Sequence, residues 1–243
     1  MKKILITGGN GKIGRYFIKN YHNNFSVSVA DKQIELGIFK DSVRLTTCDL
    51  NDFSRCKAIC RDMDVVIHLA GIVDPISESE EILYTNIKTT QNIFRAAVEA
   101  KCKKLIYASS AQVIENYPID VQVKTNQIVK PKNMYGVSKS CGEALAAYYH
   151  YNKGIPVICL RIGAYEFPED FTEMNTRDLS AYLHPDDFNQ LLFACIEKEN
   201  VDFEILNAIS DNRYKRLDIT KTIEKVGYEP KADSFELFNL KKE

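Results

Sequence analysis

The run Ile4-Leu5-Ile6-Thr7 leads straight into three glycines spaced three apart, Gly8, Gly11 and Gly14. The apolar residues read as a buried strand and Lys12–Tyr21 reads as a helix, so the glycines fall on a strand-to-helix turn. A tight turn there needs a residue free to take positive φ, which suits Gly8. Gly11 lets the backbone approach a ligand with no Cβ in the way, and Gly14 lets the new helix lie close to the strand. The helix start then offers free N–H groups and a partial positive charge to phosphates. The arrangement is a seat for the pyrophosphate of a dinucleotide. Asp31 lies 17 residues past Gly14, at the end of the next apolar run. A carboxylate there accepts hydrogen bonds from an adenosine ribose and repels a 2′-phosphate, which favours NAD over NADP. Arg15 and Lys32 soften that preference, since either can offset the charge.

The remainder alternates short apolar runs with longer helical patterns. Strands are expected at Phe25–Ala30, Val43–Thr47, Val65–Leu69, Lys104–Ala108, Pro156–Leu160 and Phe203–Leu206. Helices are expected at Phe53–Cys60, Ile82–Ala100, Tyr135–Tyr151, Pro185–Ile196 and Leu217–Val226, and Gly163–Asp178 reads as a loop over the carboxyl ends of the strands. Alternation of this kind predicts an α/β fold of the Rossmann type, a doubly wound parallel sheet covered by helices on both faces. The chain reads as a single domain over 1–243, with a cofactor core over 1–162 and a small substrate-side region over 163–243.

Composition narrows the function. The formal net charge is −1, with 45% hydrophobic and 27% charged residues. That gives no electrostatic case for nucleic acid or an anionic membrane. No apolar run approaches the about 20 residues of a membrane span, and Ile4-Leu5-Ile6 is too short for a signal peptide. Seven cysteines without a CxxC are expected to be reduced thiols of a cytoplasmic protein. Cys56 and Cys60 share a helix face but have no second ligand pair, so no metal is expected.

The order Thr7-Gly8-x-x-Gly11-Lys12-Ile13-Gly14 resembles the extended, epimerase-like branch of the short-chain dehydrogenase/reductase superfamily. Five further segments are similar: Asp49-Leu50, His68-Leu69-Ala70-Gly71, Asn86, Ser109-Ser110, and Tyr135-Gly136-Val137-Ser138-Lys139. They span residues 1–162 in the family's order. The resemblance implies NAD contacts from Gly8, Gly11, Lys12, Ile13, Gly14, Asp31, Asp49, Leu50, Leu69, Ala70, Gly71, Asn86, Tyr135 and Lys139. It also implies catalysis by Ser110, Tyr135 and Lys139, and homodimers joined through the two long helices. Ala96, Ala97, Ala144, Ala146 and Ala147 on those helices are small enough for close approach. The segments LRIGAYE (Leu160–Glu166) and RDLSAYLHPDDF (Arg177–Phe188) resemble uronate dehydrogenases and their relatives more narrowly.

The chemistry follows from the residue types. Tyr135 and Lys139 are four apart on a helix and share a face. An ammonium beside a phenol favours the phenolate and lowers its pKa from about 10. Ser110 can hydrogen-bond a substrate hydroxyl while Tyr135 takes its proton. Arg177 can clamp a carboxylate with two parallel hydrogen bonds, the role the resemblance implies, or it can pair with Asp178 or Glu173. His68 reads as a structural histidine at a strand end, and His184 as a helix cap.

The uronate dehydrogenase pattern has Ser-Ser-Asn-His where this chain has Ser109-Ser110-Ala111-Gln112, and a serine where Val73 falls. Gln112 retains one hydrogen-bonding group toward substrate. Only 104 residues follow Lys139, which leaves little room to hold a nucleotide. The expected function is NAD-dependent oxidation of a small sugar acid or related hydroxyl compound. Two other readings stand beside it: a nucleotide-sugar epimerase, dehydratase or 4-ketoreductase, and an NAD-binding sensor without turnover.

Overall fold

The computed structural model describes residues 1–35, 37–73, 80–171 and 175–239. In chain order the elements are β1 (Lys3–Thr7), α1 (Lys12–Tyr21), β2 (Ser26–Asp31), β3 (Arg44–Thr47), α2 (Phe53–Cys60), β4 (Val65–His68), α3 (Glu80–Glu99), β5 (Lys104–Ser110) and α4 (Met134–Lys153). There follow β6 (Val157–Ile162), β7 (Ala164–Tyr165), α5 (Thr176–Ser180), β8 (Tyr182–Leu183), α6 (Pro185–Glu197), β9 (Phe203–Ala208), α7 (Thr220–Val226) and α8 (Ser234–Leu237).

Seven strands form one sheet in the order β3-β2-β1-β4-β5-β6-β9, every neighbouring pair parallel. Its central strands are apolar on both faces, as a doubly covered sheet requires. Because strand side chains alternate, Ile4 and Ile6 join one core with Phe17 and Ile18 of α1 and Phe188 and Leu191 of α6. Leu5 points the other way, into a core with Cys56 and Cys60 of α2, Ile93 and Phe94 of α3, and Ala146 of α4. Ala96, Ala97 and Ala146 are fully buried within the subunit, so they serve its own core and are not available to a partner helix.

Two expectations need correction. β5 runs on to Ser110, with Ser109 and Ser110 in register with Arg161 and Ile162, so Ser110 ends the strand itself. Leu217 belongs to no helix: it forms a bridge to Val123 and is buried with Val123 and Ile219, and α7 starts only at Thr220. A short apolar run at helical spacing does not separate these cases. Part of the 163–178 stretch is structured as β7, a 3-10 turn at Pro168–Asp170 and α5; Glu173 lies outside the described residues.

Beneath the strand ends lies a buried ion pair. Arg161 of β6 donates Nε and Nη2 to the two carboxylate oxygens of Glu143 on α4, each at 2.8 Å. The Ser109 hydroxyl donates to the same carboxylate at 2.7 Å. Both ion-pair side chains are almost wholly buried. Removing one member of such a pair strands the other's charge, at a cost of about 3–5 kcal/mol, whereas replacing both with apolar residues is often nearly neutral. We expect Glu143→Ala to lower stability by that amount and the double replacement Glu143→Leu/Arg161→Met to cost far less. Urea unfolding of the three proteins measures it.

Candidate active site

The strand order reverses between β1 and β4, and ligands of such sheets bind where it does. The last residues of the two strands, Thr7 and His68, are register partners. Gly8 follows with φ +72°, and a Cβ on it would lie 2.5 Å from the Ala70 nitrogen. Only glycine permits this turn and this approach. Above it opens a cavity of about 740 Å³ at the carboxyl ends of the strands.

One half of the cavity is the glycine loop and its surroundings. Gly8, Gly11, Lys12, Ile13, Asp31, Asp49, Leu50, Leu69, Ala70 and Gly71 all line it. A Cβ on Gly11 would meet only the Gly8 carbonyl oxygen, at 3.2 Å, so the position is otherwise open. An Asp31 oxygen accepts from the Asn10 backbone N–H at 3.1 Å. Arg15 is tied to Glu35 at 2.9 Å. The Lys12 ammonium is held by Glu166 and Asp170, across the mouth from the loop. An open glycine cradle at a helix start, with a carboxylate at the end of β2, fits NAD.

Gly14 and Asn86 stand behind this wall and do not line it. A Cβ on Gly14 would fall 2.5 Å from the Gly9 backbone, so Gly14 sets how closely α1 lies on the loop. Asn86 is buried; its Oδ1 accepts from the Ile72 N–H at 2.8 Å, and its Nδ2 donates to the Ile72 carbonyl and to Ser138 Oγ. It pins the segment after β4 against α4.

The other half holds Ser110, Tyr135 and Lys139. Tyr135 stands in the first turn of α4, whose N-cap Asn133 accepts from the Gly136 N–H at 2.7 Å and donates its Nδ2 to Gln112 Oε1 at 2.9 Å. A Cβ on Gly136 would sit 2.4 Å from the Gln112 carbonyl oxygen. The close approach brings the tyrosine to the end of β5, where Ser110 hydrogen-bonds it. Lys139 donates Nζ to the Ala108 carbonyl at 2.8 Å and lies 5.5 Å from the centre of the Tyr135 ring. Burial pushes the Tyr135 phenol up to about 12, with only the Ser110 hydrogen bond working downward. Burial also brings the Lys139 ammonium down to about 8. The expected lowering of the phenol by Lys139 is therefore not what this geometry produces, because the cost of burying the phenolate dominates.

Arg177 sits at the far wall. Its Nε and Nη2 donate to the two oxygens of Glu115, at 2.9 and 2.6 Å, and its Nη1 donates to Asp178 at 2.6 Å. Glu115 follows the 3-10 turn Ala111–Ile114 that Ser110 caps. Sequence spacing gives no hint of this partner, 62 residues away. Also unforeseen in the wall are Thr85 and Thr89 of α3, and Gly163 and Tyr165 after β6. Thr85 and Thr89 are four apart and share one face of α3, and the strand-end rule covers Gly163 and Tyr165.

The histidines fill structural places. His68 is fully buried between the Thr7 and Thr90 hydroxyls, at 2.7 and 3.1 Å, and burial takes its pKa down to about 3. His184 accepts from the Asp186 N–H as the N-cap of α6. Burial pushes the thiol of Cys56 up to about 12 and that of Cys102 to about 11.

A buried ammonium opposes folding. The folded pKa of Lys139 is about 8 against the ordinary 10.5. The penalty is thus fully present at pH 7 and fades as pH rises from about 8 to 10.5, where only the unfolded chain still holds the proton. A depression of this size represents about 3 kcal/mol. We expect Lys139→Met to raise stability at pH 7 by part of that amount, with the gain shrinking near pH 10. Urea unfolding at the two pH values checks the sign.

A family model, the NAD dependent epimerase/dehydratase family, matches residues 4–185. The NAD-dependent glucose-6-phosphate dehydrogenase of Haloferax volcanii is 28% identical over 96% of this chain and 94% of its own. The uronate dehydrogenase of Pseudomonas syringae pv. tomato is 32% identical over 98% of this chain and 85% of its own. A crystal structure of an Agrobacterium tumefaciens uronate dehydrogenase variant in complex with NAD superposes with a TM-score of 0.88 at 26% identity, covering 100% of this chain and 91% of that one. The family match and the shared fold thus place the chain: it belongs to the NAD-dependent epimerase/dehydratase family, as an NAD-dependent oxidoreductase of the extended short-chain type.

Proposed function

We propose that the protein oxidises a hydroxyl of a small sugar or sugar acid, free of any nucleotide, with NAD as acceptor. The observation that carries this reading is the meeting of Ser110, Tyr135 and Lys139 on one wall of the cavity whose other end is the glycine loop. Gly8, Gly11, Lys12 and Ile13 take the pyrophosphate side, Asp31 the adenosine ribose, and Asp49 and Leu50 the adenine. Leu69, Ala70 and Gly71 flank the path toward the nicotinamide, with Gly14 and Asn86 shaping the wall from behind.

NAD, when bound, supplies the hydride acceptor. Ser110 hydrogen-bonds the substrate oxygen and Tyr135 takes its proton. Lys139 holds the tyrosine's surroundings and would hold the ribose of the cofactor, and its charge favours the phenolate, the form of Tyr135 that accepts the proton. Gln112 and Arg177 lie where the rest of the substrate extends. The Arg15–Glu35 ion pair occupies one of the two cations near Asp31, and the Asp31 carboxylate in the cavity wall beside Lys32 supports NAD as the preferred dinucleotide.

Further features support a wider reading. The cavity draws on Gly8 and Asp31 as well as on Gly163, Tyr165 and Arg177, as one domain of 1–162 and 163–243 together requires. Cys141 apart, the free cysteines are buried, in keeping with a reducing, cytoplasmic setting. α3 and α4 lie side by side and leave Tyr84, Tyr148 and Tyr151 exposed, a surface suited to a homodimer. Sedimentation at micromolar concentration tests that assembly.

Loss of the base should cost about 10²–10⁴ in rate. We expect Tyr135→Phe to bind NADH as the wild type does and to lose at least a hundredfold in kcat on the best of a panel of free uronates and aldoses. Full activity in that variant sinks the assignment. Silence of the wild type with NAD already bound to it would point to the nucleotide-sugar reading.

A further inference from the structure

The cavity continues past Arg177 into a second lobe of about 650 Å³, and the two share Gln112, Tyr165 and Arg177 as walls. The substrate's far end must lie at this junction, which makes the state of Arg177 decisive. All three nitrogens of its guanidinium already donate to carboxylates: Nε and Nη2 to Glu115, and Nη1 to Asp178. The pairing with Glu115 is the bidentate, planar kind that a bound carboxylate would make.

The pair is held from both sides. Buried Arg216 donates to the backbone carbonyls of Glu115, Tyr117 and Pro118, fixing the turn that carries Glu115. Asn175 donates Nδ2 to Asp178 at 2.6 Å and accepts from its N–H at 2.9 Å, fixing the other carboxylate. The Glu115 side chain is only 12% exposed. Two N–H groups of the guanidinium stay open among the described residues, but Glu115 and Asp178 already set two negative charges against its one positive, so a sugar carboxylate reaching Arg177 would meet like charge in a largely buried place. Among the described residues of the walls the remaining cations give little relief. Lys12 is committed to Glu166 and Asp170, Lys32 lines the cofactor half with Asp31, Lys139 donates to the Ala108 carbonyl beside Tyr135, and Lys132 is a wall of the second lobe alone. Sugar hydroxyls meet no such obstacle, because the oxygens of Glu115 and Asp178 have further lone pairs to accept them.

We propose that the substrate is an uncharged, polyhydroxylated sugar and that Glu115 selects it against sugar acids by occupying Arg177. The inference rests on the dehydrogenase reading of the site and deepens it. Whichever hydroxyl reacts, the balance is unchanged: its carbon gives a hydride to NAD, its oxygen gives a proton to the phenolate of Tyr135, which becomes the phenol, and a carbonyl forms.

The test compares kcat/KM of the wild type for matched pairs, galactose against galacturonate and glucose against glucuronate, with L-arabinose as a smaller neutral sugar. It then repeats the pairs with Glu115→Gln and with Glu115→Gln/Arg177→Ala. The wild type should prefer the neutral member at least tenfold. Glu115→Gln should raise the uronate-to-aldose ratio at least tenfold, and adding Arg177→Ala should remove that gain. A wild type that prefers the uronate, or a ratio unmoved by Glu115→Gln in a protein that still binds NADH, overturns the proposal and leaves the dehydrogenase reading intact. Should Glu115→Gln fail to bind NADH, the wild-type preference alone decides. Silence of a NADH-binding wild type with every sugar overturns both.

Discussion

Helix α4 lies so close to β5 and the turn after it that two of its positions have no room for a Cβ. At Gly142 a Cβ would fall 2.1 Å from the Tyr107 hydroxyl, and at Gly136 it would fall 2.4 Å from the Gln112 carbonyl oxygen. The rest of the site depends on this contact. It brings Tyr135 to Ser110, carries Lys139 over the Tyr107 ring at 5.2 Å, and lets Asn133 reach Gln112. It also drops Glu143 between Ser109 and Arg161. A helix seated farther out would keep its own hydrogen bonds and lose every one of these.

Closeness has an electrostatic consequence. Three charged side chains, Lys139, Glu143 and Arg161, are buried together at the ends of β5 and β6. Glu143 and Arg161 pair through two parallel hydrogen bonds and hold the strand ends. Among the described residues the partners of Lys139 are a carbonyl and two ring faces, so burial lowers its pKa and makes it a source of instability that the fold retains. An ammonium in a site of low dielectric acts strongly on a neighbouring phenol when negative charge develops there. The same burial that costs stability thus makes the group effective.

Much of the cofactor half is legible in the sequence because it is built from neighbours in the chain. The turn at Gly8, the helix at Lys12 and the carboxylate at Asp31 sit on consecutive elements of one β–α–β unit. Period-two burial places Ile4 and Leu5 on opposite faces without any knowledge of the sheet. Gly14 and Asn86 are instructive in the other direction: their spacing marks them, but they act behind the wall, on the backbone of Gly9 and Ile72. Leu217 shows the limit of local pattern, since a buried bridge and the first turn of a helix place apolar residues alike.

The sequence by itself determined the α/β alternation, the dinucleotide seat and the shared helix face of Tyr135 and Lys139, because each rests on contacts within a few residues or on one periodicity. Only the tertiary structure decided the charge of the substrate end. Glu115 meets Arg177 across 62 residues, through a 3-10 turn held by Arg216 from a third segment. It likewise decided the protonation behaviour of Tyr135 and Lys139, since pKa shifts here come from burial, and burial is a sum over the whole fold that no local spacing encodes.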